Sequence, residues 1–78
     1  MPNMDRSAIQ KRLREIEGQI ALGQRQVAQQ QEVIVKLEAG RQSATYAKYL
    51  LAGLELLQAA RRDSRDKLLR RLDEVRAK

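Results

Sequence analysis

The side chains in this sequence that could carry chemistry are few and mostly of one kind. Arg61, Arg62, Arg65, Lys67, Arg70 and Arg71 crowd one short stretch, with only Asp63 and Asp66 among them. Clustered guanidinium groups displace counterions from a phosphate backbone. Arg61, Arg62, Arg65, Arg70 and Arg71 are therefore candidate contacts to an anion or a nucleic acid. The stretch also has a plainer explanation. Arg62–Asp66, Asp63–Lys67, Asp66–Arg70 and Arg70–Glu74 all stand four apart, the spacing of ion pairs on a solvated helix face. No aromatic is interleaved for base stacking, and neither a helix-turn-helix nor a zinc-finger pattern is present. The solvated face is the preferred reading, and nucleic acid is a partner the sequence allows without favouring.

Catalysis has no foothold. His and Cys are absent, which removes the imidazole base, the thiolate nucleophile, any disulfide and any credible zinc or haem ligand set. Ser7, Ser43, Ser64 and Thr45 have no histidine to activate them, and the carboxylates are scattered over charged faces. Gly18 and Gly23 lie inside an amphipathic pattern rather than after a strand, so no phosphate loop is implied. The expectation is a protein that is not an enzyme, with no catalytic, metal or cofactor-binding residue and no cofactor.

The elements that carry these residues are helices. Phe and Trp are absent, Pro occurs once, and Tyr46 and Tyr49 are the only aromatics. Ala, Leu, Gln, Glu, Lys and Arg dominate, and these lose least on entering a helix. Ile9, Leu13, Ile16, Ile20, Val27, Ile34 and Leu37 recur in alternating steps of four and three, with Gly23 and Gln30 filling the remaining positions. This is the seam of a helix packed along its length on another. Gly40 suits the left-handed position that ends a helix, and Ser43 offers a cap for the next. Leu50, Leu54, Leu57, Leu68, Leu72 and Val75 then form a second seam, with Arg61 and Ser64 at its middle positions.

The fold class expected is all-α: an antiparallel, coiled-coil-like two-helix hairpin. Residues 1–4 read as a disordered tail and 5–78 as one domain, with helix 1 over about 5–39, a turn at 40–43 and helix 2 over about 44–77. Asn3 or Asp5 can cap helix 1. Folding back at the turn makes facing residue numbers total about 84, as long seams must align. Leu50 then faces Ile34, Leu57 faces Val27, Leu54 meets Gln30, Ser64 meets Ile20, Leu68 faces Ile16 and Val75 faces Ile9. Arg61, the longest seam side chain, falls opposite Gly23, the shortest. Gly18 and Gly23 serve close packing or a slight bend, with a hinge as the sharper alternative. Gln24, Gln26, Gln29 and Gln31 read as neutral exposed surface, and Gln30 as a buried amide that can fix register.

Two helices touching along one stripe leave their flanks wet, and here the flanks are apolar. Val33, Tyr46, Tyr49, Leu51 and Leu56 are the candidate dimer interface, with Val35, Ala28, Ala47 and Ala52 alongside. The expected partner is a second copy, two hairpins forming a four-helix bundle, with another protein as a further candidate. The excess basicity belongs to helix 2, since residues 1–39 hold six Lys/Arg against five Asp/Glu and residues 40–78 hold ten against five. No apolar stretch approaches a membrane span or a leader's core, so a cytoplasmic location without membrane contact is expected.

Gly23-Gln24-Arg25-Gln26-Val27-Ala28-Gln29-Gln30, Ile34-Val35-Lys36-Leu37-Glu38-Ala39-Gly40, Ala47, Leu50-Leu51-Ala52, Leu54-Glu55 and Arg65-Asp66-Lys67-Leu68-Leu69 together resemble a group of small bacterial, mainly alphaproteobacterial, proteins of unknown function. The resemblance covers Ile20–Leu69 and rests on helix and turn features. It departs at Gln42, where that group usually carries Asp, and at Arg61 and Ser64, near which the group has histidines. The resemblance implies a helical hairpin and no activity. The leading expectation is an interaction or structural module; the alternative is a nucleic-acid-binding accessory protein using the Arg-rich segment.

Overall fold

The computed structural model describes residues 5–77, and the tail expected over residues 1–4 lies outside them. Two helices, α1 (Arg6–Ala39) and α2 (Thr45–Arg76), fold back on each other. The hairpin measures 59 × 19 × 16 Å. Among the described residues there is no strand.

α1 begins where Asp5 leaves helical geometry. Its backbone is extended, and its carboxylate accepts the Ala8 N–H at 2.7 Å, so one orphan donor of the first turn is satisfied. The seam read from the sequence then runs inward. Ile9, Leu13, Ile16, Ile20, Gly23 and Ile34 are buried, with Val27, Gln30 and Leu37 half-buried between them.

The turn differs from the expectation in which residue bears the strain. Gly40 keeps a near-helical backbone, φ −82°, and Arg41 takes the left-handed conformation, φ 57°. The Arg41 N–H donates to the Glu38 carbonyl at 3.0 Å and the Gln42 N–H to the Leu37 carbonyl at 2.8 Å. That is the Schellman closure with Arg41 in the left-handed position, one residue later than expected. Ser43 is also not the cap of α2. Ala44 holds the N-cap position without a side-chain bond, and the Ser43 hydroxyl accepts the Thr45 N–H only at 3.4 Å. Burial explains the exchange, because Ala44 is inside, clustered with Ile34 and Ala47.

The inward face of α2 is a different stripe from the one expected. Ala44, Ala47, Leu51, Leu54, Gln58, Arg61, Arg65, Leu68, Leu72 and Val75 are its buried or half-buried seam. Leu50, Leu57 and Ser64 are exposed, so their pairings with Ile34, Val27 and Ile20 do not form. Ile9 and Leu13 cluster with Leu72, and Ile34 with Ala44 and Ala47, while Gly23 lies beside Gln58. Facing numbers thus total about 81 rather than 84. The short connection after Ala39 forces the first turn of α2 against the last turns of α1. Two alanines fit that space where leucines would not.

Midway along the seam the core is polar. Gln58, 3% exposed, donates its amide to the Ile20 carbonyl at 2.9 Å and accepts from Arg61 Nη1 at 3.0 Å. Both side chains occupy the space a Gly23 side chain would need, Arg61 Nη1 lying 2.7 Å from where its Cβ would stand. The expected match of Arg61 to Gly23 is therefore present, shared with Gln58. Nearer the turn, Gln30 donates to the Ala47 carbonyl at 3.0 Å.

The turn and the crossing can each be probed by substitution. Relieving the left-handed side chain by Arg41→Gly is expected to add up to about 1 kcal/mol to unfolding stability, and Gly40→Ala, on a near-helical backbone with only ordinary contacts for its methyl, about 0.4–1 kcal/mol. A Gly40→Ala variant destabilised in urea denaturation would contradict the turn, since that is the outcome of a left-handed Gly40. Gly18, where an added Cβ would meet nothing within 4 Å, should gain about 1 kcal/mol as Gly18→Ala. Gly23→Ala should lose that gain, because the new methyl displaces the Gln58 amide and an unpaired buried polar group costs about 1–3 kcal/mol. Equal midpoints for the two variants would disprove the tight crossing.

Candidate docking surface

With the seam of α2 assigned, the opposite flank of that helix becomes the notable surface. Tyr46, Tyr49 and Leu56 are 73%, 77% and 73% exposed, and Leu50 and Leu57 are 42% and 46% exposed. Gly53 and Ala60 complete the row and are exposed as well. The positions 46, 49, 53, 56 and 60 step by three and four, so they form one continuous stripe along α2. Val33 on α1 is also exposed.

Of the residues expected at a dimer interface, Val33, Tyr46, Tyr49 and Leu56 are available at the surface. Leu51 is not. It is packed against the cluster of Ile34, Ala44 and Ala47, and Ala47 itself is buried there. Leu50 and Leu57 take their place outside. The exchange follows from the register, since a shift of about three residues swaps which apolar row of α2 faces α1. One signal in the sequence could have found it. From Ala44 to Val75 the true seam alternates three and four without interruption, provided Gln58 and Arg65 are accepted as members. The row led by Leu50 needs two successive steps of four, from Ser64 to Leu68 to Leu72.

The basic segment divides. Arg61 turns toward α1, donating to the Gln58 side chain at 3.0 Å and to the Gln19 carbonyl at 3.4 Å. Arg65 is half-buried and holds its neighbour Asp66 at 3.1 Å, so the expected Arg62–Asp66 and Asp66–Arg70 pairs do not form. Lys67 and Asp63 do pair, at 3.0 Å. Arg62, Arg70 and Arg71 are exposed, and among the described residues none of them is in an ion pair. Three free guanidinium groups remain where the sequence offered five. Gln24, Gln26, Gln29 and Gln31 are exposed.

A groove of about 330 Å³ runs beside the Gln58 crossing, lined by Gln24, Val27, Glu55, Gln58 and Arg62. Its titratable groups are one carboxylate and one guanidinium. Among the described residues no cluster of three metal-ligating side chains occurs, and no helix is long and apolar enough to cross a membrane. No family model matches the chain, and neither a curated protein nor a solved structure does.

The division of α2 into inner and outer rows separates two kinds of variant. Leu51→Asp would place a carboxylate inside the hairpin and is expected to destabilise the fold itself by about 2–4 kcal/mol. Leu56→Asp should change unfolding stability of the isolated hairpin by less than about 0.5 kcal/mol. Circular dichroism melts at low protein concentration would expose an error if the two variants behaved alike.

Proposed function

We propose that this chain is a non-enzymatic interaction or structural module whose hairpins associate in pairs, giving a four-helix assembly. The reading is carried by one observation, the row of Tyr46, Tyr49, Leu50, Leu56 and Leu57 on the outward flank of α2. With an aromatic side chain presenting about 150–250 Å², the two tyrosines alone leave on the order of 300 Å² uncovered. The leucines bring the stripe to roughly 600 Å² per copy, the upper end of what an ordinary monomer exposes. A surface of that size in a narrow hairpin is explained by a partner that covers it. A second copy meets the requirement with no further component, and another protein presenting an apolar helix is the other occupant it suits.

Sedimentation equilibrium tests this reading. The wild-type chain is expected to sediment at twice its 9.0 kDa mass, Leu56→Asp at the single mass, and Arg62→Asp as a dimer. A single mass for the wild type at high concentration, or an unchanged dimer for Leu56→Asp, would refute it. Duplex DNA and single-stranded RNA are expected to bind weakly. A steep salt-dependent affinity, reduced by Arg62→Ala and Arg70→Ala, would move the assignment to a nucleic-acid-binding accessory protein.

A further inference from the structure

The outward stripe of α2 can be paired with itself about Gly53. Seven residues before Gly53 stands Tyr46 and seven after stands Ala60; four before is Tyr49 and four after Leu57; three before is Leu50 and three after Leu56. Run antiparallel to itself with a two-fold axis at Gly53, the stripe sets Tyr46 against Ala60 of the second copy. Tyr49 then meets Leu57, Leu50 meets Leu56, and Gly53 meets Gly53. Large faces small at the ends, tyrosine meets leucine and leucine meets leucine within, and the bare backbone of the two glycines lies at the crossing. A surface complementary to its own rotated copy is what a closed two-fold dimer requires. A Cβ added at Gly53 would meet nothing within 4 Å, so nothing inside the hairpin accounts for a glycine there.

We infer that two copies associate through α2 alone at this end, antiparallel and crossing at Gly53, so that the hairpins overlap only near their turns and their basic tips point away from each other. The inference rests on the self-association proposed above and specifies its geometry. Two further observations bear on it. The stripe would bury about 1,200 Å² in total across two copies, the lower edge of a specific interface. Charge also selects the direction. A parallel pairing would bring Arg62, Arg70 and Arg71 of the two copies side by side, whereas the antiparallel one carries them to opposite ends.

The geometry is measurable because the chain contains no cysteine, which lets a single Arg70→Cys carry a spin label. At 1.5 Å per residue, the two labels lie about 50 Å apart if the axis passes through Gly53. A compact bundle overlapping along the whole of α2 brings them within about 30 Å. Pulsed dipolar spectroscopy on the dimer should give the longer distance. A dimer with the shorter distance would overturn the Gly53 crossing and leave self-association standing, whereas a monomer at every concentration would overturn both. As a second variant, Gly53→Gln should sediment as a monomer with unchanged helix content, since the new side chain meets nothing in the hairpin. A dimer of undiminished affinity from that variant would also defeat the inference.

Discussion

Gly23 leaves a bare patch of backbone on α1, and α2 sends the amide of Gln58 and the guanidinium of Arg61 into it. Because the Gln58 amide N–H donates to the Ile20 carbonyl and its oxygen accepts a hydrogen bond from Arg61, the crossing is satisfied only when these residues stand together. A slip by one heptad position would strand a buried amide in apolar surroundings, at a cost comparable to a good fraction of a small domain's stability. Leucine seams tolerate sliding, because one leucine resembles the next. A single polar layer does not, which is why buried polar residues fix register in paired helices. The choice of register then decides which row of α2 is left outside.

The fold was legible in the sequence because helix-forming composition and period agreed along the whole of α1, from Ile9 to Leu37. The break after Ala39 was legible too, since no residue there continues the apolar row. The inner face of α2 was harder, for a physical reason. That helix carries two apolar rows, and the row with the larger side chains is the outer one. Ala44 and Ala47 bury little area each, yet their small size lets the helices approach next to a tight turn. Gln58 reads as a surface residue by type, and only its position opposite a glycine makes it a core residue. Arg41 in a left-handed conformation was equally hidden, because Gly40 beside it is the better match by residue type.

α2 therefore serves three surroundings at once. Its inner row closes on α1, its outer row near the turn is apolar, and its far half is charged on nearly every exposed side. The basic excess is reduced from within, since Arg61 and Arg65 are drawn toward the hairpin and toward Asp66. The unpaired guanidinium groups of the segment, on Arg62, Arg70 and Arg71, lie beyond the end of the apolar row. Along α2 the exposed apolar side chains are thus weighted toward the turn and the exposed arginines toward the far end.

Two clusters of buried apolar side chains stand toward the extremities, Ile34 with Ala44 and Ala47 beside the turn, and Ile9 and Leu13 with Leu72 toward the tips, while Ile16 and Ile20 are buried between them. The first cluster joins residues that are near neighbours along the chain, and the second joins residues from almost opposite ends of it. Loop-closure entropy makes the former inexpensive to assemble and the latter dependent on everything between them already being in place. On that count the end beside the bend closes at the lower entropic cost, and the distal ends, whose pairing spans nearly the whole chain, are expected to lose hydrogen-exchange protection first.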